Sequence, residues 1–195
     1  SKSAIFPFHF WLPAAMAAPT PVSAYLHAAA MVKAGIYLIA RMAPGFSDTP
    51  GWREVLVILG VFTMLMGGWT ALKQHDLKLV LAYGTVSQLG LLTVVMGFGT
   101  RTAALAGLAL LLAHALYKAT LFLVVGIIDH RAGTRDLRKL SGLGRASPVL
   151  ATITALALAS MVGLPPLLGF VAKEGVFTGL LSDATAGDTL GWVAL

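Results

Sequence analysis

Residues 102–128, TAALAGLALLLAHALYKATLFLVVGII, decide how this chain is read. The run is apolar except for two ionisable groups near its middle, His114 and Lys118. Its 27 residues would form a helix about 40 Å long, against a hydrocarbon core of about 30 Å, so the segment is expected to span a bilayer. Lys118 then lies close to the midplane, about 15 Å from either interface, and a lysine stem bends only about 6 Å towards water. Snorkelling cannot rescue it. His114 and Lys118 stand one turn apart on one helical face, where a single polar cavity or neighbouring helix could solvate both. An ionisable group at that depth costs several kcal/mol and usually marks a proton or ion pathway. The competing reading is a histidine and a lysine satisfied by backbone carbonyls in a packed bundle.

The remainder has the same character. Hydrophobic residues make up 57% of the 195 and charged residues 11%, and the mean hydropathy is +0.84, which is membrane composition. The expected fold is all-α, a polytopic transmembrane bundle forming a fragment of one membrane domain, with helices missing on both sides. A formal charge of +6 does not indicate nucleic acid, because the basic residues are dispersed among apolar spans and one loop. With no cysteine, a disulfide, a thiolate zinc site and a cysteine-held iron-sulfur cluster are excluded within this chain. No cofactor or metal site is expected, and there is no carboxylate cluster suited to coordinating sodium.

Taken in order, 1–11 reads as a helix tail broken at Pro7 and leaving the membrane near Trp11 and Pro13. Lys2 precedes the break. The span 20–42 begins with Thr20 as a plausible cap and Pro21 in the first turn, and continues without interruption. It holds His27 and Lys33, six positions or about 240° apart, so the two are expected to face different neighbours. The spans 52–72 and 77–98 follow, the first as a packing helix. Lys78 enters the second close enough to its end to read as an interfacial anchor. Residues 129–147, DHRAGTRDLRKLSGLGRAS, form the main extramembrane loop, with five Lys or Arg against two Asp. By the positive-inside bias this loop faces the cytoplasm. The final run, 148–181, is too long for one straight span, and Gly163, Pro165, Pro166 and Gly169 break it near 163–169. Lys173 and Glu174 follow the break, where ions bind between half-helices in many transporters. The alternative is a Lys173 at the membrane edge paired to Glu174.

Basic groups thus recur along the spans at Lys2, His27, Lys33, Lys78, His114, Lys118 and Lys173, with Glu174 the one acid at comparable depth. A row of lysines and histidines removed from water suits stepwise proton transfer better than anion capture, since each can exist in two protonation states and neighbouring charges couple the steps.

Four segments carry a family resemblance: WLPAAMAAPTPVSAYLHAAAMVKAGIYL (11–38), DLKLVLAYGTVSQLG (76–90), HALYKATLFL (114–123) and GLPPLLGFVAKE (163–174). They resemble the antiporter-like family shared by the proton-pumping membrane subunits of respiratory complex I and the multisubunit Mrp-type cation/proton antiporters. Lys33 in MVKAG and the loop GIIDHRAGTRDLRKLSGLG (126–144) favour the Mrp A-type subunits. The resemblance implies two discontinuous helices, broken near Pro7 and Pro165, and a central hydrophilic axis. It also implies roles: Lys2 as a channel lysine paired with a glutamate on an earlier helix, His27 and Lys78 between half-channels, Lys118 with His114 beside it as the central relay, and Lys173 as the terminal relay. That overrides the interfacial reading of Lys78. Leu110 stands where some complex I relatives carry a further histidine. The implied partners are other antiporter subunits, the lipid bilayer, H⁺ and Na⁺ or K⁺, with no nucleic acid, in a bacterial plasma membrane. The rivals are a pump subunit of complex I or of a membrane hydrogenase, and a non-transporting scaffold subunit.

Overall fold

The apolar run around His114 forms the central helix of a computed structural model that describes residues 1–185. This helix, α6, spans Arg101–Ala132. The Thr100 hydroxyl caps its start by accepting the Ala103 N–H at 3.3 Å. Gly133, at φ 65°, ends it, and its N–H returns to the Asp129 carbonyl. The helix therefore runs four residues past the expected end at 128, and Asp129, His130 and Arg131 lie in its last turn rather than in the loop. Polar side chains are no obstacle beyond the hydrocarbon, and Gly133 is the first residue able to take the left-handed cap without strain.

Helices α4 (Trp52–Leu72) and α5 (Leu77–Gly97) form an antiparallel pair. Asp76 caps α5 through its carboxylate, which accepts the N–H groups of Lys78 and Leu79 at 2.7 and 3.3 Å. The backbones meet because glycines face each other. A Cβ at residue 90 would stand 2.6 Å from the Gly60 carbonyl and the Met64 nitrogen, and one at residue 67 would stand 2.7 Å from the Ser87 nitrogen. Close approach through small residues is how membrane helices associate without a hydrophobic driving force. The Ser87 hydroxyl donates to the Met64 carbonyl (2.9 Å), and the Trp52 indole N–H donates to the Gly97 carbonyl (3.1 Å) at the other end. The outer side of α4, with Leu65, Trp69 and Leu72, is exposed.

The first expected span departs most from its reading. Residues 1–10 form turns rather than a helix tail, and helix starts only at α1 (Trp11–Ala14), followed by a 3₁₀ turn, Ala15–Ala17. Instead of an intact ladder, the turns use side chains: the Phe6 N–H donates to the Thr63 hydroxyl (3.0 Å) and the Trp11 indole to the Ser1 carbonyl (3.0 Å). The stretch expected as one span over 20–42 is likewise interrupted. Helix α2 (Thr20–Ala24), with Pro19 rather than Thr20 at its cap, passes into a π turn at Tyr25–Ala29. The chain then bends at Ala30 (φ −121°, ψ −78°) before α3 (Lys33–Phe46). Ser3 explains how the break is tolerated, because its hydroxyl donates to the Val32 carbonyl (2.7 Å) and accepts the Ile36 N–H (3.1 Å). Gly35 makes room for it, since a Cβ there would collide with the Ser3 hydroxyl.

At the other end, α7 (Leu143–Ala146) is a single turn before α8 (Pro148–Val162), and Gly163 (φ 92°) caps α8. Residues 163–167 are not helical, and α9 (Leu168–Thr185) resumes beyond them. Helix α6 touches α2, the π turn, α5, α8 and α9, so it is the hub of the bundle. Among the described residues four helical stretches are long and apolar enough to cross a membrane: Thr20–Phe46, Trp52–Leu72, Leu77–Gly97 and Arg101–Ala132.

The segment after α6 folds back onto the turn before α5. The Leu77 N–H donates to the Arg135 carbonyl and the Leu137 N–H to the His75 carbonyl. Arg135 also reaches Asp76 (3.3 Å) and Asp129 (3.9 Å). Arg138 grips Asp136 in two-pronged fashion, at 3.0 and 2.8 Å, and holds its carboxyl at about 2, below the ordinary 3.8.

Two outcomes follow. Gly90→Leu drives a side chain into the α4 backbone and should destabilise the fold by about 3 kcal/mol or more, whereas Gly45→Ala, with open space around it, should be neutral or stabilising by about 0.5–1 kcal/mol; thermal melts of the detergent-solubilised protein measure both. Because the Asp136 pKa is depressed when folded, its contribution is present above about pH 4 and is lost as the pH falls through about 2. Arg138→Ala removes the guanidinium but keeps the backbone N–H of residue 138 on the carboxylate, so it should move the Asp136 titration up towards the ordinary range in a carboxylate-resolved NMR titration.

Candidate functional site

Five of the sequence-predicted groups are buried in the described structure: His27, Lys33, Lys78, His114 and Lys118. No aspartate or glutamate is buried with them among the described residues. An ammonium out of water needs acceptors, and here backbone carbonyls supply them. Lys118 Nζ donates to the Leu81 carbonyl of α5 at 2.9 Å. Gly84 clears the space for it, since a Cβ there would stand 3.1 Å from the ammonium. Lys33 Nζ donates to the Leu111 carbonyl of α6 at 3.2 Å, and Lys78 Nζ to the Ala18 carbonyl at 3.0 Å. Ala18 is extended and precedes Pro19, so its carbonyl is one of those released between the 3₁₀ turn and α2. The burial of Lys78 is at odds with an interfacial anchor.

One stripe of α6 organises the centre. Leu111, His114, Lys118 and Phe122 are spaced three and four apart and so share a face. Lys33 meets this stripe at Leu111, and the His27 ring stacks on Phe122 with centroids 4.9 Å apart and planes 17° apart. His27 and Lys33 meet different residues, Phe122 and Leu111, but both of these belong to α6. The expected 240° rested on 100° per residue through an unbroken helix, and the π turn and the bend at Ala30 interrupt that helix.

The histidines are held without being saturated. His27 Nδ1 lies 3.0 Å from the Ser23 carbonyl, which requires a proton on Nδ1 and leaves Nε2 free as an acceptor in the neutral ring. Both ring nitrogens of His114 are buried without a protein partner. Its ring meets the Tyr117 ring edge-on at 5.4 Å, and the Tyr117 hydroxyl reaches Gln88 Oε1 at 3.5 Å.

Two groups stand apart from this centre. Lys173 is half-buried and donates to the Met161 and Val162 carbonyls at 2.8 and 3.0 Å, where α8 ends. Those bonds, not a pairing with the exposed Glu174, anchor its ammonium, and both residues line a cavity of about 540 Å³ beside the break. Lys2 is exposed and one residue before Ser3, which ties its segment to the bend next to Lys33.

Ser3, Ser23, Gly84 and Gln88 were not singled out as site residues by sequence reasoning. Small polar residues and glycines inside apolar runs were the available signal, but which of them face the lysines depends on the packing.

Three comparisons bear on the origin of this arrangement. Residues 1–187 match the family model described as NADH:quinone oxidoreductase/Mrp antiporter, transmembrane. The A-type subunit of the Na⁺/H⁺ antiporter of Alkalihalophilus pseudofirmus is 51% identical over 93% of this chain and 24% of its own length. A probable K⁺/H⁺ antiporter A/B-type subunit of Rhizobium meliloti is 51% identical over 91% of this chain and 18% of its own. Among solved structures, that of the Mrp complex from a Dietzia species matches with a TM-score of 0.92 and 51% identity, over 99% of this chain and 22% of the matched chain. The chain spans about a quarter or less of the length of these relatives. Matched over nearly its whole length, the chain belongs to the NADH:quinone oxidoreductase/Mrp antiporter transmembrane family.

Proposed function

We propose that this chain is a proton-translocating part of a multisubunit monovalent cation/proton antiporter in a bacterial plasma membrane. Protons pass along Lys2, His27, Lys78, Lys118 and Lys173, with His114 beside Lys118 and Lys33 feeding the same α6 stripe. The flux is coupled to export of Na⁺ or K⁺ by the assembled complex. The observation that carries this reading is the set of buried lysines and histidines held on carbonyls, with histidine nitrogens left unpartnered and no carboxylate buried among the described residues. Leu81 accepts from one of the three N–H groups of the Lys118 ammonium, so the others are available to donate to water, the route by which a proton would leave. The relatives named as Na⁺/H⁺ and probable K⁺/H⁺ antiporter subunits support the same reading.

The basic loop after α6 faces the cytoplasm. Its hydrogen bonds to His75 and Leu77 place it beside the α4–α5 turn, which carries Lys73, so the positive charges of the two connectors share one side.

In the full antiporter, Lys118→Ala should leave assembly intact, because the Leu81 carbonyl still accepts the Thr85 hydroxyl at 2.8 Å. Cation-driven proton flux in membrane vesicles should fall below about a tenth of the parent rate, a barrier increase of about 1.4 kcal/mol or more; parental flux would remove Lys118 from the relay. For sidedness, Ser141→Cys should label with an impermeant thiol reagent in inverted vesicles and stay unlabelled in intact cells, and the reverse pattern puts the loop outside.

A further inference from the structure

Among the described residues, Arg131 is the one basic side chain of the α6 end that joins two apolar grooves. In the first, of about 450 Å³, it closes a wall formed by Thr20, Leu123 and Ile127. In the second, of about 420 Å³, it faces Val149, Leu150 and Ile153 of α8. Ile153 also lines a third depression, of about 300 Å³, that reaches Tyr117 between α6 and α8. From Arg131 to Tyr117 is fourteen residues of α6, or about 21 Å, which takes the groove from the interface beyond the middle of a core about 30 Å thick.

The head of this groove is basic and uncompensated. The Arg131 guanidinium is exposed and donates to the Ser147 hydroxyl at 3.3 Å, and His130 lies beside it in the first groove. The one acid in the same turn, Asp129, is turned towards Arg135. Among the described residues no carboxylate is paired with Arg131. Both walls are apolar and open outwards, with Ile127, Val149 and Ile153 exposed.

We propose that this site holds an anionic phospholipid, with its phosphate on Arg131 and Ser147 and its acyl chains in the two grooves that flank Ile127. A free phosphate would gain nothing from the apolar walls, and a zwitterionic lipid carries its own compensating cation. The chain on the α8 side ends against Tyr117, whose ring packs on His114. This site does not depend on the antiport reading, because its measurement counts lipid rather than transport.

The test uses the intact purified complex, stripped with detergent and re-exposed to mixed micelles of phosphatidylglycerol or phosphatidylcholine, with retained lipid counted by native mass spectrometry. The parent should retain phosphatidylglycerol in preference to phosphatidylcholine. Arg131→Gln should lower phosphatidylglycerol retention at least about five-fold. Ile153→Trp, which fills the groove and leaves the charge alone, should do the same. The exposed loop variant Lys139→Gln should retain lipid as the parent does, and millimolar inorganic phosphate should not displace it. Equal retention in all variants overturns the proposal, as does equal loss in Lys139→Gln, displacement by phosphate, or another protein segment found lying in the α6–α8 groove.

Discussion

Buried lysine ammoniums resting on backbone carbonyls are the constraint around which the described bundle is built. Three lysines, Lys33, Lys78 and Lys118, are buried without a buried acid among the described residues. Where a carboxylate would pair with such an ammonium, backbone carbonyl dipoles stand instead. Removing a charge from water still costs several kcal/mol. The fold meets that cost by aiming carbonyls at each Nζ and by keeping side chains out of the way, as Gly84 does beside Lys118.

Helix breaks are the second half of the same device. A carbonyl inside an intact helix, such as Leu81 or Leu111, offers a lysine only its second lone pair, whereas an interrupted helix releases several carbonyls at the break. Ala18 presents its carbonyl to Lys78, and Met161 and Val162 present theirs to Lys173 at the negative end of α8. The bend at Ala30 has a different use. It brings His27 and Lys33 onto one stripe of α6, and the polar groups it frees are taken up by Ser3 rather than by a lysine.

Rigid packing on one side lets the irregular segments persist on the other. Helices α4 and α5 interlock through Gly60, Gly67 and Gly90, and Thr63 on α4 in turn receives the N–H of Phe6 from the first turn segment. Helix α5 therefore carries the Lys118 acceptor, Leu81, on a backbone fixed from behind by α4. The α6 to α8 connector, clasped to Asp76 through Arg135, ties the ends of α5 and α6 together on the same side.

By itself the sequence determined the class of the molecule, the helices from α4 to α6, the break around Pro165, and the place of Lys118 near the middle of α6. Each rests on local chemistry: the length of an apolar run, a proline without a donor, the count of residues on either side of a lysine. The four quoted motifs also determined the family. Only the tertiary structure decided the fate of 1–32, where a serine from one segment satisfies the broken ladder of another, and where the helix on which the expected 240° between His27 and Lys33 rested is interrupted before Lys33. It likewise decided that Lys78 is buried and that Lys173 caps α8 instead of pairing with Glu174. Those outcomes depend on which carbonyl stands opposite which ammonium, and that is set between residues far apart in the chain, 78 positions for Lys33 and Leu111, which no local pattern encodes.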